Sequence, residues 1–103
     1  MADRPKAVPA LDTLRAQRGE ILHLMDRYGA YNVRVFGSVA RDEATAESDI
    51  DLLVTFRDDV TLFDVAGLWV ELQDLLGRQV DVVDDRSLKP HLRPSIRRDA
   101  VAL

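Results

Sequence analysis

The stretch GSVARDEATAESDIDLLV, residues 37–54, joins a glycine-serine pair through a polar connection to two aspartates at the head of an apolar run. Side chains of a strand alternate between its two faces, so Asp49 and Asp51 project the same way while Ile50 and Leu52 point to the other side. The pattern predicts a strand with one face in the core. The other face begins with two like charges.

Two carboxylates held side by side repel each other, so that one takes up a proton or a cation lies between them. Asp81 occupies the next predicted strand and joins Asp49 and Asp51 if the two strands are neighbours. Such oxygen ligands suit Mg²⁺, which usually takes one or two carboxylates and completes its shell with water and substrate phosphates. Three carboxylates can hold two ions about 3.5 to 4 Å apart, which suits in-line displacement at phosphorus. The three aspartates are therefore candidate metal ligands and catalytic residues.

The glycine-serine pair offers the matching half of a phosphate site. Gly37 has no side chain to keep a phosphate away from the backbone, and Ser38 supplies a hydroxyl at the start of a predicted short helix whose N–H groups attract anions. Arg41, one turn later, can meet a phosphate or pair with a neighbouring acid. We therefore expect Gly37, Ser38 and Arg41 to bind the anionic part of a ligand.

Outward from this stretch, hydrophobic periodicity and turn residues predict alternating helices and strands. The predicted helices cover residues 11–28 (ended by Gly29), 38–43 (with Ser38 as its cap), 62–76 (opened by a Thr61–Asp64 capping box and closed by Gly77) and part of 88–100, and the predicted strands cover 32–36, 50–56 and 79–83. Strands two and three flank a crossover helix and should be parallel. The expected fold class is α/β (α+β), a small mixed three-stranded sheet covered by helices, with residues 1–103 as one domain.

The composition indicates which kinds of protein and of metal site this chain can form. The 103 residues are 47% hydrophobic and 31% charged, as in a soluble globular domain, and they include no cysteine, so any metal needs oxygen or nitrogen ligands. No apolar run is long enough for a membrane span, and the N-terminal MADRPKAVPA lacks the apolar core of a signal peptide. The sequence therefore predicts a cytoplasmic protein without a membrane partner.

Charge is unevenly distributed along the chain. The net charge is −4, which gives no reason to expect direct nucleic-acid binding. Residues 85–103 are nevertheless rich in arginine. This basic tail is either a solvated face or a docking surface for a ligand or an acidic partner.

The spacing of these motifs resembles the signature of the nucleotidyltransferase superfamily that includes DNA polymerase beta. That signature is Gly-Ser, ten further residues, then Asp-x-Asp or Glu, and Gly37-Ser38 with Asp49-Ile50-Asp51 fits it without adjustment. The wider stretch is most similar to the minimal nucleotidyltransferase (MNT) antitoxins, which are encoded beside HEPN-domain ribonuclease toxins. One departure is visible, because members commonly carry glycine where this chain has Asp42.

The resemblance implies an enzyme that uses Mg²⁺ to transfer AMP from ATP to a hydroxyl, in this family a tyrosine of the partner toxin. It implies that Asp49 and Asp51 bind metal, that Gly37 and Ser38 hold the triphosphate, and that Asp81 completes the metal site and helps to deprotonate the acceptor. It also implies a hetero-oligomer with the HEPN toxin.

Two other functions remain open at the level of sequence. A binding module could neutralise its partner by occlusion, with the acidic cluster serving no reaction. A small-molecule transferase of the aminoglycoside-modifying kind would need an acceptor-binding wall that a catalytic core alone does not supply. Repelling carboxylates cost stability unless they are used, which favours catalysis over occlusion.

Overall fold

The computed structural model describes residues 7–103 of the chain. It contains α1 (Leu11–Ala16), α2 (Arg18–Arg27), β1 (Ala30–Phe36), α3 (Gly37–Ala40), β2 (Ile50–Phe56), α4 (Leu62–Leu76), β3 (Val80–Asp84), a 3₁₀ turn (Asp85–Ser87), α5 (Arg93–Asp99) and β4 (Val101–Ala102). The alternation of helices and strands confirms the predicted fold class.

The strands form one mixed sheet in the order β3-β2-β1-β4. β2 and β3 are parallel, as predicted, whereas β1 runs antiparallel to both β2 and β4. The predicted number of three strands was wrong, because the sheet has a fourth strand, β4. Only Val101 and Ala102 of this strand pair with β1. Two residues are too few to show the alternation by which a strand is detected in sequence.

One face of the sheet packs against helices to form the core. Ile50, Leu52 and Val54 are between 0 and 2% exposed, as predicted from their alternation with the aspartates. They join fully buried residues of the flanking helices, namely Ile21, Met25, Leu68 and Leu72. The other face carries Asp51 and Leu53, and it is partly covered by the 3₁₀ turn and α5.

Both ends of α4 lie where the sequence predicts them. Its first turn is closed by a reciprocal capping box, in which the Thr61 amide donates to Asp64 Oδ2 at 2.9 Å and the Asp64 amide donates to Thr61 Oγ1 at 3.2 Å. Gly77 ends the helix in the left-handed conformation at φ 68°. α4 thus returns the chain to the edge where β2 began, so that β2 and β3 start side by side.

Three predicted helices differ from the structure. The helix expected over residues 11–28 is interrupted at Gln17, whose φ of −102° and ψ of 14° leave the helical region, and Gly19 two residues later adds little helix propensity. α3 begins at Gly37 after Phe36, so Ser38 is not its cap. The tail helix begins only at Arg93, with a proline in its first turn.

No helix within residues 7–103 is both long and apolar enough to cross a membrane. Trp69 packs against the core cluster, whereas Tyr31 is half exposed. The most exposed large apolar side chains are Leu62 and Phe63, at 87% and 89%, in the first turn of α4.

Candidate active site

The site is built where β2 and β3 begin. Asp51 and Asp81 are register partners across the parallel pair, so both side chains leave the same face of the sheet at the same level. The crossover through α4 places these two acids together although 30 positions separate them in the sequence. The structure therefore brings together the two strand aspartates that the sequence predicts as neighbours.

Gly37 closes the site from the end of β1. A Cβ atom at this position would lie 2.2 Å from Asp51 Oδ2, which is closer than any real contact allows. The backbone of Gly37 also has φ 72°, a conformation that favours glycine. The start of α3 therefore touches the Asp51 carboxylate directly, and only glycine permits this approach.

Asp51 is electrostatically strained. Burial of the carboxyl, followed by the negative charges of Asp81 and Asp49, raises the pKa of Asp51 from 3.8 to about 6, and the nearby positive charge of Arg41 opposes this only in part. Burial and the two negative charges each disfavour the ionised form of Asp51, and a bound cation would favour it. A half-buried acid facing two others is the environment expected of a metal ligand or an acid-base group.

The residues of the site suit Mg²⁺ in the chemistry of their donor atoms. The donor set consists of carboxylate oxygens, the ligands this ion prefers, and the facing pair of Asp51 and Asp81 supplies the one or two carboxylates that it usually takes from a protein. Within residues 7–103 no three acidic, histidine or cysteine side chains are gathered tightly enough to hold a metal ion. Asp49, which precedes β2 and is exposed, lies beside the pair without completing a closed site. Asp51 and Asp81 therefore suit a Mg²⁺ ion that completes its coordination shell with water and a bound ligand.

The raised pKa of Asp51 predicts how stability depends on pH when metal is kept away by EDTA. Between pH 3.8 and about 6 folded Asp51 holds a proton that the unfolded chain has lost, so acidification through this window favours folding. The shift corresponds to roughly 3 kcal/mol, and solvent screening at this half-buried carboxyl reduces the difference to about 1 kcal/mol. Urea unfolding should therefore show Asp51→Asn to be about 1 kcal/mol more stable than wild type at pH 7.5.

The difference between the two proteins should shrink as the pH falls and vanish below pH 3.8, because Asp51 is then neutral in the unfolded chain as well as in the folded protein. Asp59→Asn, which removes a charge from the exposed loop after β2, is the matched control. A stability difference that stays constant from pH 7.5 to pH 4 would contradict the assigned environment of Asp51.

The remaining predicted site residues lie on α3 and just after it. Ser38 is partly buried in α3, beside Gly37. Arg41 is held by two acids, with its Nη1 2.8 Å from Asp99 Oδ2 and its Nε 3.1 Å from Glu43 Oε2, and these hydrogen bonds raise its pKa. Arg41 thus ties α3 to α5, and its role toward phosphate stays a prediction.

Asp42 is the one departure from the expected family pattern. Its φ is 58°, so the chain adopts a left-handed conformation at the position where the resemblance predicts glycine. Aspartate is among the few residues that tolerate this region. The local turn is therefore kept without glycine.

Sequence reasoning missed Arg78, which follows the cap of α4. Its guanidinium reaches the loop that leads to Asp49 and donates to the carbonyl oxygens of Ala46 and Ser48 at 3.2 and 2.8 Å. An arginine beside a helix-ending glycine carries no local signal for such a contact, because the accepting carbonyls lie about thirty positions earlier.

Comparison with known proteins identifies the family of this chain. Residues 20–103 match the model of the nucleotidyltransferase domain family. The protein adenylyltransferase MntA of Thermococcus cleftensis is 38% identical over 78 residues, which cover 76% of this chain and 79% of that protein. A solved structure assigned as a minimal nucleotidyltransferase is 52% identical with a TM-score of 0.81, covering 91% of this chain and 96% of the other.

A chain in the complex of a tri-AMPylated HEPN toxin with its MNT antitoxin, from Shewanella oneidensis, has a TM-score of 0.65 at 22% identity. The match covers 85% of this chain and 69% of that one. At this level of identity the likeness concerns the fold. Together with the family match over residues 20–103 and the relatives above, it leads to one conclusion: the chain belongs to the nucleotidyltransferase family.

Proposed function

We propose that this protein transfers AMP from ATP to a hydroxyl group, that of a tyrosine on a HEPN-domain toxin, and thereby acts as the antitoxin of the pair. The observation that carries the proposal is the facing of Asp51 and Asp81 on adjacent parallel strands, with Gly37 against Asp51. Two further findings support it. The chain is 38% identical to MntA, a protein adenylyltransferase, and it shares its fold with a chain of an MNT–HEPN complex.

The reaction requires four events at one place. The acceptor oxygen forms a bond to the α-phosphorus of ATP, the bond between the α- and β-phosphates breaks, pyrophosphate leaves, and the acceptor loses its proton. Asp81 is the proposed base that takes this proton, because its side chain lies beside Asp51 at the open edge of the sheet. Gly37 and Ser38 are the proposed contacts of the triphosphate, since the glycine lets phosphate oxygens approach the backbone.

Asp49 and Asp51 are the proposed holders of Mg²⁺, with Asp81 as a third ligand for two ions. When bound, the metal would supply positive charge for the phosphates and for the carboxylates that otherwise repel one another. Beside burial, the negative charges of Asp81 and Asp49 raise the pKa of Asp51, and a bound cation would offset these two charges. Binding of the metal and nucleotide should therefore release protons near pH 6.

Exposed apolar side chains favour a protein acceptor over a small molecule. The exposed Leu62 and Phe63 present apolar area of the kind found where proteins associate, and Tyr31 adds a half-exposed aromatic ring. Leu62 and Phe63 follow the end of β2 that is opposite to Asp51. They would serve to dock a partner rather than to position the acceptor hydroxyl.

The direct test incubates the protein with ATP, Mg²⁺ and a purified HEPN toxin encoded beside it, followed by intact mass spectrometry of both proteins. We expect the toxin to gain the mass of one or more AMP groups, on tyrosine when the modified peptide is sequenced. Asp81→Asn should abolish the gain, whereas Asp59→Asn, an equal loss of charge on an exposed loop, should leave it intact.

The same experiment separates the other two functions. If the toxin is neutralised and bound but unmodified, and if Asp81→Asn neutralises it equally well, the protein acts by occlusion. If neither protein gains mass but an added aminoglycoside does, the acceptor is a small molecule. Either result would overturn AMP transfer to a toxin.

A further inference from the structure

We infer that Arg78 is a positioning residue that fixes Asp49 for metal binding by holding the loop that precedes it. This loop, residues 44–49, is named here the Asp49 loop. Arg78 Nη1 donates to Ala46 O at 3.2 Å and to Ser48 O at 2.8 Å, and Nη2 donates to Ala7 O. One planar guanidinium thus joins the entry of β3 to the Asp49 loop and to the segment before α1.

Asp49 is held on both sides by the segment that enters β3. The carbonyl of Ser48, the residue before it, accepts from Arg78, and the amide of Ile50, the residue after it, donates to Gln79 O at 3.1 Å. The backbone on either side of Asp49 is therefore fixed to two consecutive residues. These residues also lead directly to Asp81, so one short segment sets the positions of both acids.

The Asp49 loop needs this support because its own bonds are few and local. Thr45 N donates to Ser48 Oγ at 2.8 Å, and Ser48 N donates to Thr45 O at 3.0 Å, which closes one turn but does not attach it to the sheet. Arg78 makes that attachment through a planar guanidinium whose Nη1 donates to two carbonyl oxygens of the loop. Without Arg78 the carbonyls of Ala46 and Ser48 would turn to water, and the exposed Asp49 would lose its fixed direction.

This inference rests on the proposed function, because it assigns Asp49 a metal to bind. The test uses the full chain with Mn²⁺ and a nonhydrolysable ATP analogue, and it measures metal uptake by calorimetry and amide hydrogen exchange by mass spectrometry. In Arg78→Gln we expect faster exchange confined to the Asp49 loop and metal affinity lowered about 10- to 100-fold, the scale found when partners that orient a metal ligand are removed.

Arg78→Lys keeps the charge but replaces the planar fork by a single ammonium, so both readouts should fall between those of wild type and Arg78→Gln. Arg57→Gln is the matched control, because Arg57 pairs with Asp26 at 3.2 Å beyond the opposite end of β2 and should leave both readouts unchanged. A purely structural role would instead raise exchange throughout β2 and β3.

Unchanged metal affinity in both Arg78 variants, whether or not the loop exchanges faster, would overturn the positioning role. A wild-type protein that takes up no Mn²⁺ with the nucleotide analogue would overturn the proposed function itself. The exchange measurement remains informative in that case, since protection of the Asp49 loop by Arg78 does not depend on metal. The two failures are therefore distinguishable.

Discussion

Asp51→Asn should greatly slow nucleotide transfer while making the protein more stable. Asparagine keeps the shape of the side chain but loses the negative charge that would bind a cation. We expect the rate of transfer to fall on the order of 10³-fold, the scale seen when one preorganised electrostatic group leaves a catalytic centre. The free energy of unfolding at pH 7.5 should rise by about 1 kcal/mol because repulsion with Asp81 and the burial cost both disappear.

These opposite directions make the prediction specific to a functional site. A residue whose role is only to support the fold lowers stability and activity together when it is replaced. The experiment measures initial rates of AMP transfer and urea unfolding in EDTA for wild type, Asp51→Asn and the control Asp59→Asn. If Asp51→Asn retained transfer within about tenfold of wild type, Asp51 could not be the central ligand.

Gly37→Ala should damage both the fold and the reaction. The added methyl group would lie 2.2 Å from Asp51 Oδ2, so the carboxylate or the start of α3 must move. Alanine at φ 72° is strained even without this contact, and such strain costs about 1 to 3 kcal/mol. A displacement of about 1 Å in a catalytic group can lower the rate about 10²-fold, and we expect a loss of at least this size.

Two other glycines provide matched controls for this substitution. Gly77 has φ 68° but open space around its Cβ position, so Gly77→Ala carries the strain without the contact and should lose stability with a much smaller loss of transfer. Gly19 has open space within α2, and Gly19→Ala should gain about 0.5 to 1 kcal/mol from improved helix propensity. Thermal unfolding and transfer rates of the three variants would contradict the assignment if Gly37→Ala behaved like Gly77→Ala.

The helix and strand bounds that the sequence predicts correctly have causes within a few residues, and the one correct long-range prediction follows from a general rule of chain topology. β2 occupies residues 50–56 as expected, because alternation of acids and aliphatic residues is visible along the strand itself. α4 begins and ends as expected because the Thr61–Asp64 box and Gly77 act on their own helix ends. The pairing of Asp51 with Asp81 follows from the preference of a strand-helix-strand unit for parallel neighbours.

The features that sequence misses depend on contacts between distant segments. β4 consists of two residues that become a strand only because β1 offers them an edge. The break at Gln17 leaves the apolar periodicity of residues 11–28 intact, so the pattern cannot reveal it. The bonds of Arg78 to the Asp49 loop require knowledge of which carbonyls the finished fold leaves within reach.

The parallel register of β2 and β3 also decides which changes in chain length the site can tolerate. Asp51 and Asp81 meet because each lies one residue beyond the first position of its strand, and the connection through α4 contributes no atom to that encounter. Insertions in the exposed loop at residues 57–59 can therefore be absorbed without moving either acid. A single residue inserted between Val80 and Asp81 would instead turn that acid toward the core.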